Sequence, residues 1–474
     1  MDNQNLTIQT HLKWVLGIII AFVIVRLISL GLYPLYDTTE ARYGEMARLM
    51  VETQNWITPL FDYNVPFWGK PPMHTWASAI SFQALGVSEF SARLPHFLAA
   101  LATVFTLYRF AKHQFSSAVA HNASLILISC LGFIIAGGMV MTDAILTFAV
   151  TLAMTSFWLN FVNKDSIING VLFFVALSIG MLVKGPVAVV IVGIALVTWS
   201  VANRCLLKAI KSLPWSLGLV VFFILTLPWY VLAESSTPGF LEYFLWGEHV
   251  QRFLESGWEG DLYGSAHDEV KGTIWLFWIA MTFPWSFVTF FFLFKKLRSG
   301  NPEQVEGQYN GLNNYLIAWL VAPMLLFTMA GNILPAYVLP GIPAFALWLA
   351  PKFKSALSVA KISIISFVIL VSALVYIVGG YASKTSQVEL IGNNEVAEGV
   401  TVYYWKKRPF SGMFYSGGKA KLLDEEERLY ELLMSESSFL LAVRTKEVSQ
   451  IVVNLESSCK LINTTTKHSL FNCN

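Results

Sequence analysis

The residues best suited to chemistry lie in one short stretch behind the first apolar segment of the chain. Asp37 and Glu40 are three positions apart, so on a helix their carboxylates would share a face. Two carboxylates placed together can act on one proton as a general base or hold one divalent cation. Asp37 can equally cap a helix that has Glu40 in its first turn, and then neither residue does chemistry. The residue types leave both interpretations open.

Cations that can bind an anion follow in the same stretch and in later ones. Arg42 and Lys70 come soon after the two acids, and such side chains bind phosphate when they are held near a dry membrane surface. The alternative is that they extend toward lipid headgroups, as Lys and Arg often do near the ends of membrane spans. Arg93, Lys184 and Arg252 are further candidates for anion contacts, unless they only stabilise helix ends.

One pair of residues raises a divalent metal ion as a candidate cofactor. Glu248 and His249 are adjacent, and carboxylate and imidazole groups are common metal ligands. No tight His–Cys spacing accompanies them, and a loop histidine that only forms hydrogen bonds is the commoner outcome. The sequence also has no Walker loop, dinucleotide fingerprint, serine nucleophile elbow or HExxH helix. ATP-driven transport and zinc proteolysis therefore lose support.

The composition indicates that a membrane protein positions these residues. Of the 474 residues, 55% are hydrophobic and 13% are charged, whereas soluble domains carry about 25% charged residues. The net charge of +2 and the dispersed basic residues argue against a nucleic-acid partner. Apolar segments near the roughly 20 residues of a span predict about eleven transmembrane helices, in a range of about nine to thirteen, with membrane lipids as partners. These segments are 13–33, 92–110, 118–137, 142–162, 167–183, 186–202, 213–233, 273–294, 312–330, 334–350 and 358–380.

The distribution of basic residues predicts the topology. With a cytoplasmic N-terminus, the short basic loops all fall inside, as the positive-inside rule requires. Three regions then face outward, namely the loops 34–91 and 234–272 and the tail from residue 381. We therefore predict a transmembrane catalytic domain over 1–380 and an outer domain over 381–474.

The tail has the pattern of a small α/β domain. Strand-like runs at 400–405, 439–443 and 451–455 surround a helical pattern at 424–434. Two cysteines, Cys459 and Cys473, lie in this tail, and an oxidising exterior permits a disulfide between them. Two unpaired thiols are the alternative, since the sequence alone does not fix the geometry.

An ordered set of short motifs resembles one family. The run from Asp37 to Lys70 resembles the first outer loop of the aminoarabinose transferases of Gram-negative bacteria and of their protein O-mannosyltransferase relatives. The likeness covers most of residues 30–345, and although each piece alone is weak, the ordered set is specific. The further motifs are Phe90-Ser91-Ala92-Arg93-Leu94-Pro95, Met141-Thr142-Asp143-Ala144, Lys184-Gly185-Pro186, Pro228-Trp229-Tyr230, Glu248-His249-Val250-Gln251-Arg252-Phe253, Pro284-Trp285 and Leu334-Pro335-Ala336-Tyr337-Val338-Leu339-Pro340.

The resemblance implies a fold, a location and an activity. Members of this superfamily are polytopic glycosyltransferases with the GT-C fold, in the bacterial inner membrane, with the active site facing the periplasm. The expected reaction moves a sugar from a polyprenyl (undecaprenyl) phosphate carrier to an envelope acceptor such as lipid A, with a protein or polysaccharide as the alternative acceptor. A translocase for lipid-linked sugars is the alternative of another class, although charges concentrated in outer loops favour chemistry over passage.

The resemblance also assigns roles to residues. An acid of the first loop, Asp37 or Glu40, would assist the acceptor by deprotonating it or by positioning it through a metal. The carrier phosphate would be bound as it leaves by a set of cations and tyrosines, namely Arg42, Tyr43, Lys70, Arg93, Arg252 and Tyr337.

Three departures from the family pattern bear on these roles. The aminoarabinose transferases usually have adjacent Asp and Glu before x-Arg-Tyr, whereas here a threonine precedes Glu40 and the nearest aspartate is Asp37. Asp37 is therefore our first candidate for the acid and Glu40 the second. Gly69 replaces a glutamate that is common before the loop lysine, which weakens the case for a metal. Ile333, preceded by Asn332, replaces a lysine that is common before Leu-Pro-x-Tyr, so one anion contact is missing.

Overall fold

The structure, a computed structural model, describes residues 2–163, 166–255, 257–264, 267–299, 311–391, 400–434, 438–448 and 458–473. In these ranges most residues are helical, and two small sheets are present. The fold class predicted from the sequence, a helical membrane protein with a small C-terminal α/β domain, is confirmed. The domain boundary at residue 381 stays a prediction, and the predicted strand at 451–455 lies outside the described residues.

Most of the long helices lie in the apolar segments of the sequence. The helices are α1 (Asp2–Ser29), α2 (Thr39–Thr53), α3 (Met73–Leu85), α4 (Glu89–Gln114), α5 (Ser117–Ser129), α6 (Leu131–Ala136), α7 (Thr142–Val162), α8 (Ile167–Lys184), α9 (Pro186–Ala202), α10 (Leu206–Ser212), α11 (Trp215–Ser236), α12 (Phe240–Glu242), α13 (Arg252–Leu254), α14 (Thr273–Met281), α15 (Trp285–Ser299), α16 (Leu312–Phe327), α17 (Ile342–Leu349), α18 (Ala356–Tyr376), α19 (Ala382–Thr385), α20 (Val388–Ile391), α21 (Phe410–Tyr415) and α22 (Glu426–Met434). Tyr243–Gln251 and Ile377–Tyr381 are π-helical, and Pro335–Gly341 and Ala350–Lys352 are 3-10 turns.

Several of these helices can cross a membrane. Among the described residues, five are long and apolar enough, namely α4, α7, α8, α11 and the segment Ala356–Lys384 that contains α18. The pair α14 and α15 makes a sixth if its two halves count as one span, and α5, α9 and α16 are apolar but shorter. The protein is therefore embedded in a membrane, while the total of about eleven spans stays a prediction.

Three of the predicted spans are not single straight helices. The segment 118–137 is interrupted at Cys130, between α5 and α6. The segment 273–294 bends by 104° between α14 and α15, where Pro284 removes a backbone donor. The segment 334–350 begins as a 3-10 turn with prolines at both of its ends, so that only eight residues remain for α17. The length of an apolar segment does not predict where its helix is interrupted.

The first outer loop is an ordered structure held against the membrane helices. The helix α2 ends where Gln54 adopts a left-handed backbone conformation, and the short strands β1 (Leu60–Asp62) and β2 (Val65–Pro66) form a hairpin before α3. Gly44 of α2 faces the C-terminal helix α21. A β-carbon at this position would lie 2.6 Å from Leu35 Cδ1 and 3.6 Å from the ring of Phe414, so the two helices pack closely here.

The C-terminal sheet has a core on both of its faces. Its strands are β3 (Val402–Trp405), β4 (Lys421–Leu423), β5 (Phe439–Arg444), β6 (Cys459–Thr464) and β7 (His468–Cys473), in the order β4-β3-β5-β7-β6. The strand β3 pairs in parallel with β4 and β5, and the other pairs are antiparallel. The central strand β5 is almost continuously buried, as expected for a strand covered on two sides.

Candidate functional site

A cavity of about 310 Å³ lies between the outer loops and three membrane helices, α8, α9 and α16. Its polar wall brings together groups that are far apart in the sequence. They are Lys70, Lys184, Glu248, His249, Arg252, Asn332 and Tyr337. Its apolar wall consists of Pro186, Val187, Val190, Phe253, Leu326 and Phe327. Three cations thus share one cavity with a hydrophobic side.

Glu248 joins two of these cations. Lys70 Nζ lies 2.8 Å from Glu248 Oε2, and Arg252 Nη1 lies 2.9 Å from Glu248 Oε1. Arg252 also contacts Asp261 at 3.2 Å. Burial raises the pKa of Glu248, but Lys70 and then Arg252 lower it by more, so the pKa of this carboxyl lies below its usual range. Glu248 therefore stays ionised at neutral pH and fixes both cations beside the cavity.

The third cation, Lys184, comes from the last turn of α8. Its Nζ lies 2.6 Å from Asp143 Oδ1 and 4.3 Å from the centre of the Tyr337 ring. Asp143 stands in the first turn of α7, where Thr142 donates to its other oxygen at 3.2 Å. The lysine, the aspartate and the tyrosine thus form one group, of which Lys184 and Tyr337 line the cavity while Asp143 lies behind the lysine.

Local structure positions Lys70 within narrow limits. Pro71 and Pro72 directly follow it and lead into α3, which restricts the backbone. On the other side, the Tyr263 hydroxyl accepts a hydrogen bond from Trp68 N at 3.0 Å and donates one to Pro66 O at 2.8 Å. The second outer loop therefore holds the segment of the first loop that carries Lys70.

The residues present do not fit the predicted metal site. Both oxygens of Glu248 are paired with cations. His249 Nδ1 lies 2.7 Å from Phe244 O, and its Nε2 lies 3.2 Å from Lys184 O, so a backbone carbonyl oxygen stands in front of each ring nitrogen. In the described part of the chain, no group of three or more His, Cys, Asp or Glu side chains could hold a metal ion.

Glu40 and Arg93 lie away from the cavity and bind each other. The Arg93 guanidinium donates to both Glu40 oxygens at 2.7 and 2.9 Å, and both side chains are fully buried. Glu40 also accepts from Tyr36 N and Val140 N, while Arg93 donates to carbonyls of residues 30, 33 and 34. With their hydrogen-bonding groups engaged in this way, the pair ties the first loop to α4. This geometry favours a structural role over the acid and phosphate roles predicted from the sequence.

Asp37 also points away from the cavity, toward the C-terminal domain. Its carboxylate accepts hydrogen bonds from Ser411 N at 3.0 Å and from the Ser411 hydroxyl. Burial raises the pKa of Asp37 by more than these bonds lower it. Nearby, Arg408 pairs with Asp62, and the Tyr415 hydroxyl accepts from Leu35 N at 2.8 Å. Asp37 is thus one of several polar contacts that dock α21 on the first loop.

Replacing Asp37 with alanine is therefore expected to loosen this docking rather than to abolish chemistry. Hydrogen bonds to a charged group contribute about 1.5–3 kcal/mol, so a protease should cleave the C-terminal domain faster. Limited proteolysis of the full chain measures this, with the exposed Asp424→Ala as the matched control. Complete loss of sugar transfer at an unchanged cleavage rate would return Asp37 to the acid role.

Arg42 and Tyr43 occupy an aromatic cluster beside the cavity but do not line it. Arg42 Nη1 donates to Tyr263 O at 3.1 Å, and its guanidinium lies 5.9 Å from the centre of the Phe67 ring. The Tyr43 ring packs edge-on against Phe67 and His74. Of the six residues predicted to bind phosphate, Lys70, Arg252 and Tyr337 meet at the cavity, whereas Arg42, Tyr43 and Arg93 do not.

Two polar residues near the cavity were not assigned roles from the sequence. Asp143 belongs to a motif of the family resemblance, but a single aspartate at the start of an apolar helix is also a common N-terminal charge. In the sequence, Asn332 is only a departure from the family pattern.

The disulfide predicted in the C-terminal domain is present. Cys459 and Cys473 are bonded to each other and connect β6 to β7.

Sequence comparison finds relatives along most of the chain. Residues 12–244 match the family described as dolichyl-phosphate-mannose-protein mannosyltransferase. Two relatives are undecaprenyl phosphate-α-4-amino-4-deoxy-L-arabinose arabinosyl transferases. The one from Enterobacter sp. (strain 638) is 28% identical over 71% of this chain, and the one from Aeromonas hydrophila is 29% identical over 74%. The matched regions span 59% and 62% of the length of these two relatives.

Structure comparison finds the same fold. The crystal structure of ArnT from Cupriavidus metallidurans bound to undecaprenyl phosphate superposes with a TM-score of 0.80 at 17% identity, over 96% of this chain and 97% of that one. Its apo state gives a TM-score of 0.77. The likeness predicted from the motifs is thus confirmed by the family match, the named relatives and the fold. The chain is therefore similar to the protein mannosyltransferases over residues 12–244 and to the aminoarabinose transferases over 71% to 74% of its length, and it has the fold of ArnT.

Proposed function

We propose that this protein is a glycosyltransferase that moves a sugar from a polyprenyl phosphate carrier to an envelope acceptor such as lipid A. The observation that carries the proposal is the cavity in which Lys70, Lys184 and Arg252 meet beside an apolar wall. A lipid phosphate needs both features, because its headgroup is anionic and its chain is hydrophobic. The named relatives act on such a carrier, undecaprenyl phosphate, which supports the same substrate class here.

The charges in the cavity suit a phosphate that leaves during the reaction. Lys70 and Arg252 share the carboxylate of Glu248, and Lys184 is paired with Asp143. Cations that are already fixed by such pairs need little reorganisation when negative charge develops on the phosphate. Arg252 can also contact two phosphate oxygens at once, which a lysine cannot. These groups therefore favour departure of the carrier phosphate.

The apolar wall suits the polyprenyl chain. Val187 and Val190 come from α9, while Leu326 and Phe327 come from α16, and both helices are apolar. A hydrophobic chain lying between these helices would be removed from water, which is favourable for apolar surface. The phosphate would then sit at the end of these helices, next to the outer loops.

In the proposed reaction an acceptor hydroxyl attacks the anomeric carbon of the sugar. The bond from this carbon to the phosphate oxygen breaks, the phosphate keeps the electron pair, and the hydroxyl proton passes to a carboxylate. We assign that carboxylate to Asp143, which lies beside the cavity, instead of Asp37 or Glu40. Displacement in one step, without a covalent enzyme intermediate, inverts the anomeric carbon.

The location follows from the same reasoning. We propose that the protein lies in the bacterial inner membrane, with the cavity and the C-terminal domain on the periplasmic side. The basic loops predicted to be cytoplasmic support this orientation.

A transfer assay tests the proposal. Purified full-length protein is mixed with undecaprenyl phosphate-aminoarabinose and lipid A, and the products are analysed by mass spectrometry. We expect sugar on lipid A and free undecaprenyl phosphate in equal amounts. Transfer to a periplasmic protein or polysaccharide in place of lipid A would change the acceptor but keep the activity. Movement of the lipid across vesicles without sugar transfer would support a translocase and reject the proposal.

Within this assay, Asp143→Asn is expected to lower the rate of transfer by about 10²–10⁴-fold, the usual contribution of a general base. The amide cannot accept the acceptor proton. It keeps the size of the carboxylate and one oxygen that can accept from Lys184, but it removes the negative charge with which Lys184 is paired, so the stability of this variant is measured beside its rate. Asp268→Asn in the second outer loop is the control, because this carboxylate is exposed. A rate for Asp143→Asn within threefold of the unmodified protein would remove Asp143 from this role.

A further inference from the structure

Asn332 lines the cavity, and its side-chain amide has a hydrogen-bond donor without a partner among the described residues. It lies in the irregular segment between α16 and the 3-10 turn Pro335–Gly341, and the residue is buried, with 8% of its surface exposed. Oδ1 accepts a hydrogen bond from the backbone N–H of His267 at 3.2 Å. Nδ2 is buried and has no hydrogen-bond partner among the described residues.

The His267 contact fixes which end of the amide is unused. A backbone N–H can only donate, so it must face the oxygen of Asn332 and not its nitrogen. The NH₂ group is therefore directed away from the second outer loop. Folded proteins rarely leave a buried donor unpaired, and a bound ligand is one way in which such a donor is completed.

The composition of the cavity indicates which ligand atom Nδ2 meets. The phosphate already has three cations available, Lys70, Lys184 and Arg252, each of which binds an anion more strongly than a neutral amide does. An amide N–H suits an uncharged oxygen such as a hydroxyl. Beside the lipid phosphate, the uncharged oxygens of such a donor are those of its sugar.

We propose that Asn332 is a specificity-determining residue whose Nδ2 donates a hydrogen bond to a hydroxyl or ring oxygen of the sugar on the polyprenyl phosphate. This inference rests on the proposed function and adds to it a contact to the sugar, separate from the phosphate contacts. A site that pairs its buried donor with a sugar oxygen also discriminates against a ligand that lacks this oxygen, because the donor is then left unpaired.

The test compares two lipids, undecaprenyl phosphate and undecaprenyl phosphate-aminoarabinose, on the full-length protein. Asn332→Ala and Asn332→Leu are both uncharged and lose the donor, the first with a smaller side chain and the second with one of similar size. The quantity measured is the ratio of the two dissociation constants, sugar-linked over sugar-free. Any effect of either variant on the phosphate is common to both lipids and cancels in this ratio.

We expect both variants to raise this ratio at least tenfold over the unmodified protein, with the sugar-free lipid still bound. A ratio that stays the same in both variants overturns the inference, whether both lipids bind equally more weakly, as for a phosphate contact, or unchanged. If the unmodified protein transfers sugar and the ratio does not change, only the Asn332 assignment fails. If the unmodified protein binds neither lipid, the proposed function fails together with it.

Discussion

Replacing Lys70 with alanine is expected to lower kcat/KM for sugar transfer by about 10²–10³-fold, the usual effect of removing one group that stabilises developing negative charge. Lys70 Nζ lines the cavity and is held 2.8 Å from Glu248. Without it, the leaving phosphate would face a carboxylate that is balanced by Arg252 alone. The loss should appear mainly in kcat, because charge on the phosphate grows as the bond to the sugar breaks.

Two variants separate this effect from damage to the fold. Lys271→Ala removes an exposed lysine of the second outer loop and should transfer sugar at the normal rate. Lys70→Arg keeps the charge but not the compact shape of the ammonium group, so we expect an intermediate rate. Steady-state kinetics measures all three, and size-exclusion chromatography confirms that each is folded. Activity of Lys70→Ala within threefold of the unmodified protein would contradict the assignment of the cavity as the phosphate site.

The sequence predicted the class of fold well because the membrane imposes a simple rule. Apolar segments of roughly 20 residues become helices, and the predicted segments 142–162 and 186–202 coincide with α7 and α9. The rule fails where backbone geometry intervenes. The prolines in 334–350 and Pro284 break predicted spans, although the average hydropathy of these segments stays high.

The candidate site was predicted in part. Lys70, Arg252 and Tyr337 come from three separate regions, and their motifs placed all of them in one site. The sequence did not show which acids lie near this cavity. An Asp or Glu in a sequence does not reveal whether its carboxylate accepts a proton in catalysis, pairs with an arginine or accepts a hydrogen bond from a serine. Glu40 is close to Lys70 in the chain but is turned toward Arg93, while Asp143 is distant in the chain and lies next to Lys184.

The ion pair of Glu40 and Arg93 leads to a second strong expectation, for stability. Glu40→Gln should destabilise the folded protein by about 3–5 kcal/mol, because Arg93 would be left buried with no opposite charge. The thermal unfolding midpoint in detergent should therefore fall by several degrees. Glu52→Gln is the matched control, since its carboxylate pairs with Arg48 but is 47% exposed. Exposed pairs contribute about 0–1 kcal/mol, so this midpoint should change little.

The same variant decides between the two interpretations of Glu40. If the carboxylate is structural, Glu40→Gln assayed well below its unfolding midpoint should transfer sugar at a nearly normal rate per folded molecule. Replacing both partners by methionine should recover part of the lost stability, because no buried charge is left unpaired. The recovery is only partial, since Arg93 also donates to three backbone carbonyls in the segment that follows α1. Normal stability with abolished transfer would instead make Glu40 the carboxylate that accepts the proton of the acceptor.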